Sequence, residues 1–331
     1  MKQEASFEEE IKAMAYDEGF DLVGIASIND AALAETIGHY QRWLDLGFDA
    51  SMSYLKRHRQ MKGDPEKFLE GVQSVVAVGL LYGVESSINE IHVNRNNPAE
   101  QPQEVVDNKG AFSIYTWGPD YHEVVEKRLS NLQLAIERRF PAAKNRFYVD
   151  TRPVLDRFWA QQAGLGWIGK NTCLINRKQG SFIFLGGLMT TLRLRPDAQH
   201  PDHCGRCRKC LDACPTQALV EPHVLNSNLC IAYHTVENRA EVPAILAEKF
   251  SNWIAGCDIC QTVCPWNNPM TLGQSFTPQN DLRFLSLIEL SQIDEETYRE
   301  KTAGLSISRI KHQAFLRNIA IALKNISEDQ I

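Results

Sequence analysis

His203-Cys204-Gly205-Arg206-Cys207-Arg208-Lys209-Cys210-Leu211-Asp212-Ala213-Cys214-Pro215 spaces its thiols as C-x2-C-x2-C-x3-C-P. That run holds cubane iron–sulfur clusters. Two-residue gaps let three thiolates of one loop surround one cluster. The last Cys, ahead of Pro, is directed toward a second cluster. A partial repeat follows as Cys257-x2-Cys260-x3-Cys264-Pro265. In two-cluster ferredoxins each cluster takes its last ligand from the other run. The first 4Fe–4S cluster is therefore expected on Cys204, Cys207, Cys210 and Cys264. The second has Cys257, Cys260 and Cys214 and is one thiolate short. Cys230 is the only remaining candidate nearby, so eight cysteines make two sites with none left over. Zinc is the weaker reading, because its knuckles use paired CxxC. Plain structural thiols have no reason to cluster in this way.

The rest of the chain sets the module in context. It has 331 residues, 44% of them hydrophobic, enough for two or three domains. About 195 residues precede the cysteine region and about 65 follow it. That excess argues for an enzyme with a built-in ferredoxin rather than a free electron carrier. The net charge of −6 gives no sign of a nucleic-acid partner. Met1-Lys2-Gln3-Glu4 leads into Glu8-Glu9-Glu10, with no basic and apolar leader, which predicts a cytoplasmic protein. The apolar stretches Val75 to Val84 and Phe182 to Leu192 fall short of the ~18 residues of a spanning helix. In a reducing compartment, clustered cysteines favour metal binding over disulfides.

Local patterns predict an α/β or α+β domain up to about residue 195. Ser6 and Glu9 have capping-box spacing, and Gly19 stops the helix they start. Leu22 to Ala26 and Ser74 to Leu81 read as strands. Glu85 to Gly110 is polar and reads as a long loop. Val125, Leu129, Leu132, Ile136 and Phe140 mark one helix face. Arg146 to Asp150 reads as a strand ending on an acid, and Phe182 to Leu185 as another. The expected domains are 1–195, a ferredoxin-like module at 196–275, and a helical segment at 276–331. The last helix, roughly Ser308 to Asn325, is expected to line Gln313, Leu316, Ile319, Ala320 and Leu323 along one side. No GxGxxG follows a strand, so a Rossmann site is not supported. The glycines of Gly164-Leu165-Gly166-Trp167-Ile168-Gly169-Lys170 do not have Walker A spacing.

Tyr148-Val149-Asp150-Thr151 and Ala163 through Ile175, which contains GLGWIGKNTCLI, resemble the central signature of the epoxyqueuosine reductase family. So do the two cysteine blocks with their flanks, Trp117-Gly118 with Asp120-Tyr121-His122, and Leu316 to Leu323. The resemblance covers nearly the whole chain in order. It implies a flavin-reductase or nitroreductase-like domain that binds base-off cobalamin with no protein His ligand, beside an inserted ferredoxin module. The implied reaction reduces epoxyqueuosine to queuosine at the tRNA wobble position. Two electrons come through the clusters and cobalamin from an external ferredoxin-, flavodoxin- or reductase-type donor, and the enzyme is a monomer.

Asp150 matches the family's proton donor, and burial is expected to raise its pKa toward neutrality. The bland alternative is an Asp that caps the next helix. Implied cofactor contacts are Tyr115, Asp150, Lys170, Asn171, Thr172, Cys173, Leu174 and Ala232. The alternatives are a turn cap for Lys170 and Asn171, a small buried residue for Cys173 and a core aromatic for Tyr115. Backbone contacts to tRNA are expected from Arg206, Arg208 and Lys209, and from Arg309, Lys311 and Arg317 in a stretch carrying no acid. A solvated helix face is the bland reading. Arg152, Gly187, Lys62, Ala232 and His234 depart from the family pattern, and Arg152 lies nearest the proposed acid. Rival readings are a cobalamin iron–sulfur reductase of a small molecule, like the reductive dehalogenases, and a two-cluster electron-transfer protein.

Overall fold

Ser6 opens the first helix, Phe7–Asp17, through a reciprocal capping box with Glu9, and Gly19 turns the chain out of it at φ +81°. The computed structural model describes residues 6–28, 30–83, 108–268 and 270–329. The expected loop from Glu85 lies outside these residues up to 107. Strands β1 (Leu22–Ser27), β2 (Ser74–Leu81), β3 (Ala111–Phe112), β4 (Asn145–Val149), β5 (Trp167–Ile168), β6 (Leu174–Ile175) and β7 (Ile183–Thr190) belong to the first span. The main sheet has the order β1-β2-β7-β4, and every neighbouring pair is antiparallel. Of the two expected classes, antiparallel α+β pairing is the one found.

Both faces of this sheet are covered. Val76, Val78 and Leu80 join Ile11, Leu129, Leu132 and Ile136 in the larger core. Val75 and Ala77 point the other way, onto Phe158, Trp159 and Ala163. Burial on both faces explains why β2 reads as an unbroken apolar run. At Gly24 a Cβ would stand 2.0 Å from the Ala163 carbonyl oxygen, so the Asp156–Gln162 helix ends in direct backbone contact with β1.

The second span adds β8 (Leu219–Glu221), β9 (Val224–Leu225) and β10 (Trp253–Ala255), and β10 pairs in parallel with β3. The three expected domains share one core. Val236, Ile254 and Ala255 from the middle span pack with Phe112 and Trp117 from the first and Leu287, Phe315 and Ile319 from the last. The final helix runs His312–Asp329, and residues Ser306–Arg309 form a separate 3-10 turn. Its inner side is Ala314, Phe315, Asn318, Ile319, Ala322 and Asn325, whereas Gln313 and Ala320 are exposed. The expected side is rotated because the inner face includes two asparagines, which an apolar pattern overlooks. No helix among the described residues is long and apolar enough to cross a membrane.

Candidate active site and cluster ligands

Asp150 lies one residue past β4, in a turn, with a half-exposed carboxylate. Its Oδ2 accepts the Tyr121 hydroxyl at 2.7 Å and faces His122 Nε2 at 3.1 Å. It does not cap the next helix, whose N-cap residue is Leu155. Burial pushes the Asp150 carboxyl up, but the bonds from His122 and Tyr121 and the His122 charge outweigh it. The group therefore sits below the ordinary carboxylate range, not above it as expected for an acid in an apolar pocket. His122 explains the difference. Burial alone lowers it, but hydrogen bonds to Asp120 and Asp150 push it up to about 9. Sequence reasoning left His122 without a role, because an Asp-Tyr-His triplet has no local signature for a partner 28 residues away.

Other elements close the recess around Asp150. Tyr54 and Lys62 from the Ser53–Lys62 helix, Tyr115 from the Ile114–Thr116 turn, and Arg309 all lie within electrostatic reach of its carboxylate. Lys62 donates to the Val154 carbonyl at 2.9 Å. Asp156 is raised by burial, against the pull of Arg157. Arg152 has its guanidinium 3.8 Å from Glu126, one helical turn beyond His122.

Two side chains of the Lys170–Leu174 segment bond to the cysteine loops. Lys170 Nζ donates to the carbonyls of Gly205 at 2.6 Å and Cys207 at 2.8 Å, in the first cysteine run. Buried Asn171 donates to the Cys260 carbonyl at 3.2 Å, in the second run. These two side chains latch both cysteine loops to the catalytic span. Leu174 is buried in the smaller core, so its side chain is not available to a ligand. Thr172, at φ +67°, offers its carbonyl to Arg157 at 2.7 Å. Cys173 is partly exposed and electrostatically coupled to Cys210 and Cys230. Ala232 is partly buried and opens the Tyr233–Glu237 π-helix, and His234 within it is a structural residue bonded to the Asn228 carbonyl at 2.8 Å and Asn238 at 3.1 Å.

The eight thiols separate into two sets in space. Burial, then the charges of Cys204, Cys210 and Cys207, push Cys264 up to about 12. A cavity of about 270 Å³ is lined by these four cysteines together with Lys170, His203 and Trp266. Cys257 is pushed well up by burial, then by Cys230 and Cys214, and Cys260 feels Cys257, Cys230 and Cys214. Among the described residues no three His, Cys, Asp or Glu side chains close on a single metal ion. A cavity lined by four thiols instead suits a multi-atom cluster. Trp167 Nε1 lies 3.4 Å from Cys204 Sγ and the Ala218 N–H 3.3 Å from Cys214 Sγ, contacts of the kind that tune cluster potentials.

The basic residues divide. Arg206, Arg208, Lys209 and Lys311 are exposed. Arg309 pairs with Glu237 on the rim of the Asp150 recess. Arg317 corrects the expectation of a tRNA-facing side chain. Its guanidinium donates inward to the carbonyls of His234 at 2.6 Å, Asn238 at 3.1 Å and Ala240.

Residues 203–267 match the family described as 4Fe-4S double cluster binding domain. Fold and site together define an iron–sulfur oxidoreductase in which two 4Fe–4S clusters serve an α+β catalytic domain. Residues 62–151 match the family described as epoxyqueuosine reductase QueG, DUF1730. The epoxyqueuosine reductase of Synechocystis sp. is 40% identical over 300 residues, 89% of this chain and 98% of that protein. That of Prochlorococcus marinus is 38% identical over 324 residues, 96% of this chain and 98% of that protein. This chain belongs to the epoxyqueuosine reductase family. Among solved structures, the Streptococcus thermophilus enzyme superposes with TM-score 0.81 at 26% identity, covering 97% of this chain and 82% of that one. An epoxyqueuosine reductase bound to an epoxyqueuosine-modified tRNA stem loop gives TM-score 0.77 at 28% identity, covering 96% of this chain and 80% of that one.

Proposed function

We propose that this chain reduces epoxyqueuosine to queuosine at the wobble position of tRNA, releasing the epoxide oxygen as water. The observation that carries this reading is the half-exposed Asp150 carboxylate held by Tyr121 and His122, on the same span whose Lys170 and Asn171 latch both cysteine loops. Cys204, Cys207, Cys210 and Cys264 would hold one cluster, and Cys214, Cys230, Cys257 and Cys260 the other. Cys173 lies within electrostatic reach of both sets, through Cys210 of the first and Cys230 and Cys260 of the second. Burial raises Cys210, Cys230, Cys257, Cys260 and Cys264, so cluster loading displaces protons from these thiols.

We also place cobalamin in the 1–195 span, read as a flavin-reductase or nitroreductase-like domain, on the side where the half-exposed Asp150 carboxylate and partly exposed Cys173 stand. Tyr115, Thr172, Cys173 and Ala232 would contact it, in the base-off form with no histidine ligand. When bound, cobalamin supplies a low-potential centre for breaking the carbon–oxygen bond. Asp150 delivers protons to the departing oxygen. Exposed Arg206, Arg208, Lys209 and Lys311 would hold the tRNA backbone, with Arg309 at the mouth of the recess. We read the enzyme as a cytoplasmic monomer that draws electrons from an external ferredoxin-, flavodoxin- or reductase-type donor.

Anaerobic reconstitution with iron, sulfide and cobalamin, followed by epoxyqueuosine-containing tRNA and a reductant, should yield queuosine on nucleoside analysis. Absence of queuosine from fully loaded enzyme rejects the reading. Asp150→Ala should abolish turnover and keep cluster absorbance.

A further inference from the structure

Asp150 is a poor acid as the structure presents it. Its Oδ2 already has two donors, Tyr121 and His122, and its Oδ1 carries no protein hydrogen bond among the described residues. The His122 ring spans two carboxylates. Its Nδ1 lies 2.7 Å from Asp120 Oδ1, and its Nε2 lies 3.1 Å from Asp150 Oδ2. Asp120 also accepts the His122 backbone N–H at 3.0 Å, which fixes the ring from below. A ring held between two acceptors is doubly protonated, and each N–H points at a carboxylate. The resting proton of the pair therefore lies on His122, while the carboxylate faces the recess.

We propose that His122 is the proton reservoir for Asp150. The imidazolium passes its Nε2 proton to the carboxylate, and the resulting carboxylic acid turns about Cβ–Cγ and gives the proton to the departing oxygen. Asp120 is a positioning residue that holds the ring and favours its charged form. This inference rests on the function proposed above. Converting the epoxide to an alkene consumes two electrons and two protons, breaks both carbon–oxygen bonds and releases water. The electrons come from the external one-electron donor through the clusters, and both protons pass along His122 and Asp150. His122, 21% exposed, regains its proton from solvent between transfers.

The groups that face the pair set its pH behaviour. These are Asp120 and Tyr121 on its own turn, Tyr54 and Lys62 from the Ser53–Lys62 helix, and Tyr115. Asp156 faces it from the next helix, and Arg309 from the Ser306–Arg309 turn. Because His122 is raised to about 9, the pair stays charged with its proton at neutrality and loses it as pH rises through that value.

The test is the pH profile of turnover of the loaded enzyme on epoxyqueuosine-containing tRNA. Wild-type kcat should hold through neutrality and fall on the alkaline side near pH 9. His122→Gln keeps a donor toward Asp150 but holds no transferable proton. It should lose about 10²-fold in kcat at neutral pH, regain activity as the medium is acidified, and leave KM for tRNA unchanged. Asp120→Asn leaves the imidazole in place and should move the alkaline limb to lower pH. A His122→Gln profile like the wild type, or an alkaline limb that stays put in Asp120→Asn, overturns the relay. Asp150→Ala separates the two readings. If it stays active, the assignment of Asp150 fails. If it is dead while the His122 and Asp120 variants behave as wild type, only the relay fails. Should His122→Gln lose its cluster absorbance, Asp120→Asn alone decides.

Discussion

Tyr148 buries a hydroxyl that meets no hydrogen-bond partner among the described residues. The ring lies against Gly187, where a Cβ would stand 2.5 Å from Tyr148 Oη and 2.8 Å from the Val76 carbonyl oxygen. The glycine at 187 is thus the space this ring fills, and a longer side chain has no room there. Tyr148→Phe should hold or raise stability by up to about 1 kcal/mol, since a buried unpaired hydroxyl is lost. Gly187→Ala should cost about 1 to 3 kcal/mol, and less when combined with Tyr148→Phe. Urea unfolding of the two single variants and the pair measures this; strictly additive effects would show that the two sites do not share space. Single residues also mark how far the sequence can be read. The cysteine sets are legible because cluster geometry imposes local spacing. The pairing of His122 with Asp150 is not, because it joins two turns brought together only by the sheet. Lys170 and Asn171 are half legible: the segment is distinctive, but their actual partners are main-chain carbonyls, which no sequence pattern displays.

Among the elements, β2 is readable because two buried faces leave no polar interruption. The final helix is harder, because part of its docking is polar. Asn318 is fully buried and donates to the Thr235 and Ile254 carbonyls, both at 2.9 Å. Arg317, next to it, closes the end of the π-helix that follows Cys230. This helix therefore holds the segment bearing Cys230, which we assign to the second cluster. Asn318→Ala should cost about 2 to 4 kcal/mol, because two buried carbonyls lose their donors. It should also weaken retention of the second cluster before the first. Thermal unfolding together with iron content per chain checks both expectations, and equal loss from the two clusters would count against the helix as their link.

At the scale of the whole molecule, the shared core makes the cysteine region a structural member as well as an electron path. Removing the clusters leaves eight thiols facing each other in partly buried loops, with the ligands' binding energy gone. Chelation under anaerobic conditions should lower the unfolding midpoint by roughly 10 °C or more. It should do so as one transition, because catalytic and cluster regions are packed in one core. Calorimetry with and without clusters tests this, and two separate transitions would show independent units. The pairing of β3 with β10 has a further consequence, for the order in which the chain is made. Ala111 meets Trp253, and the core around them is completed by Phe315 and Ile319. Such distant partners make folding slow, since long loops must close before their contacts form. During synthesis the early strands wait with an open side until the C-terminal helix has emerged. Cys257 stands two residues past β10, so its loop reaches its final place only once the last helix has docked.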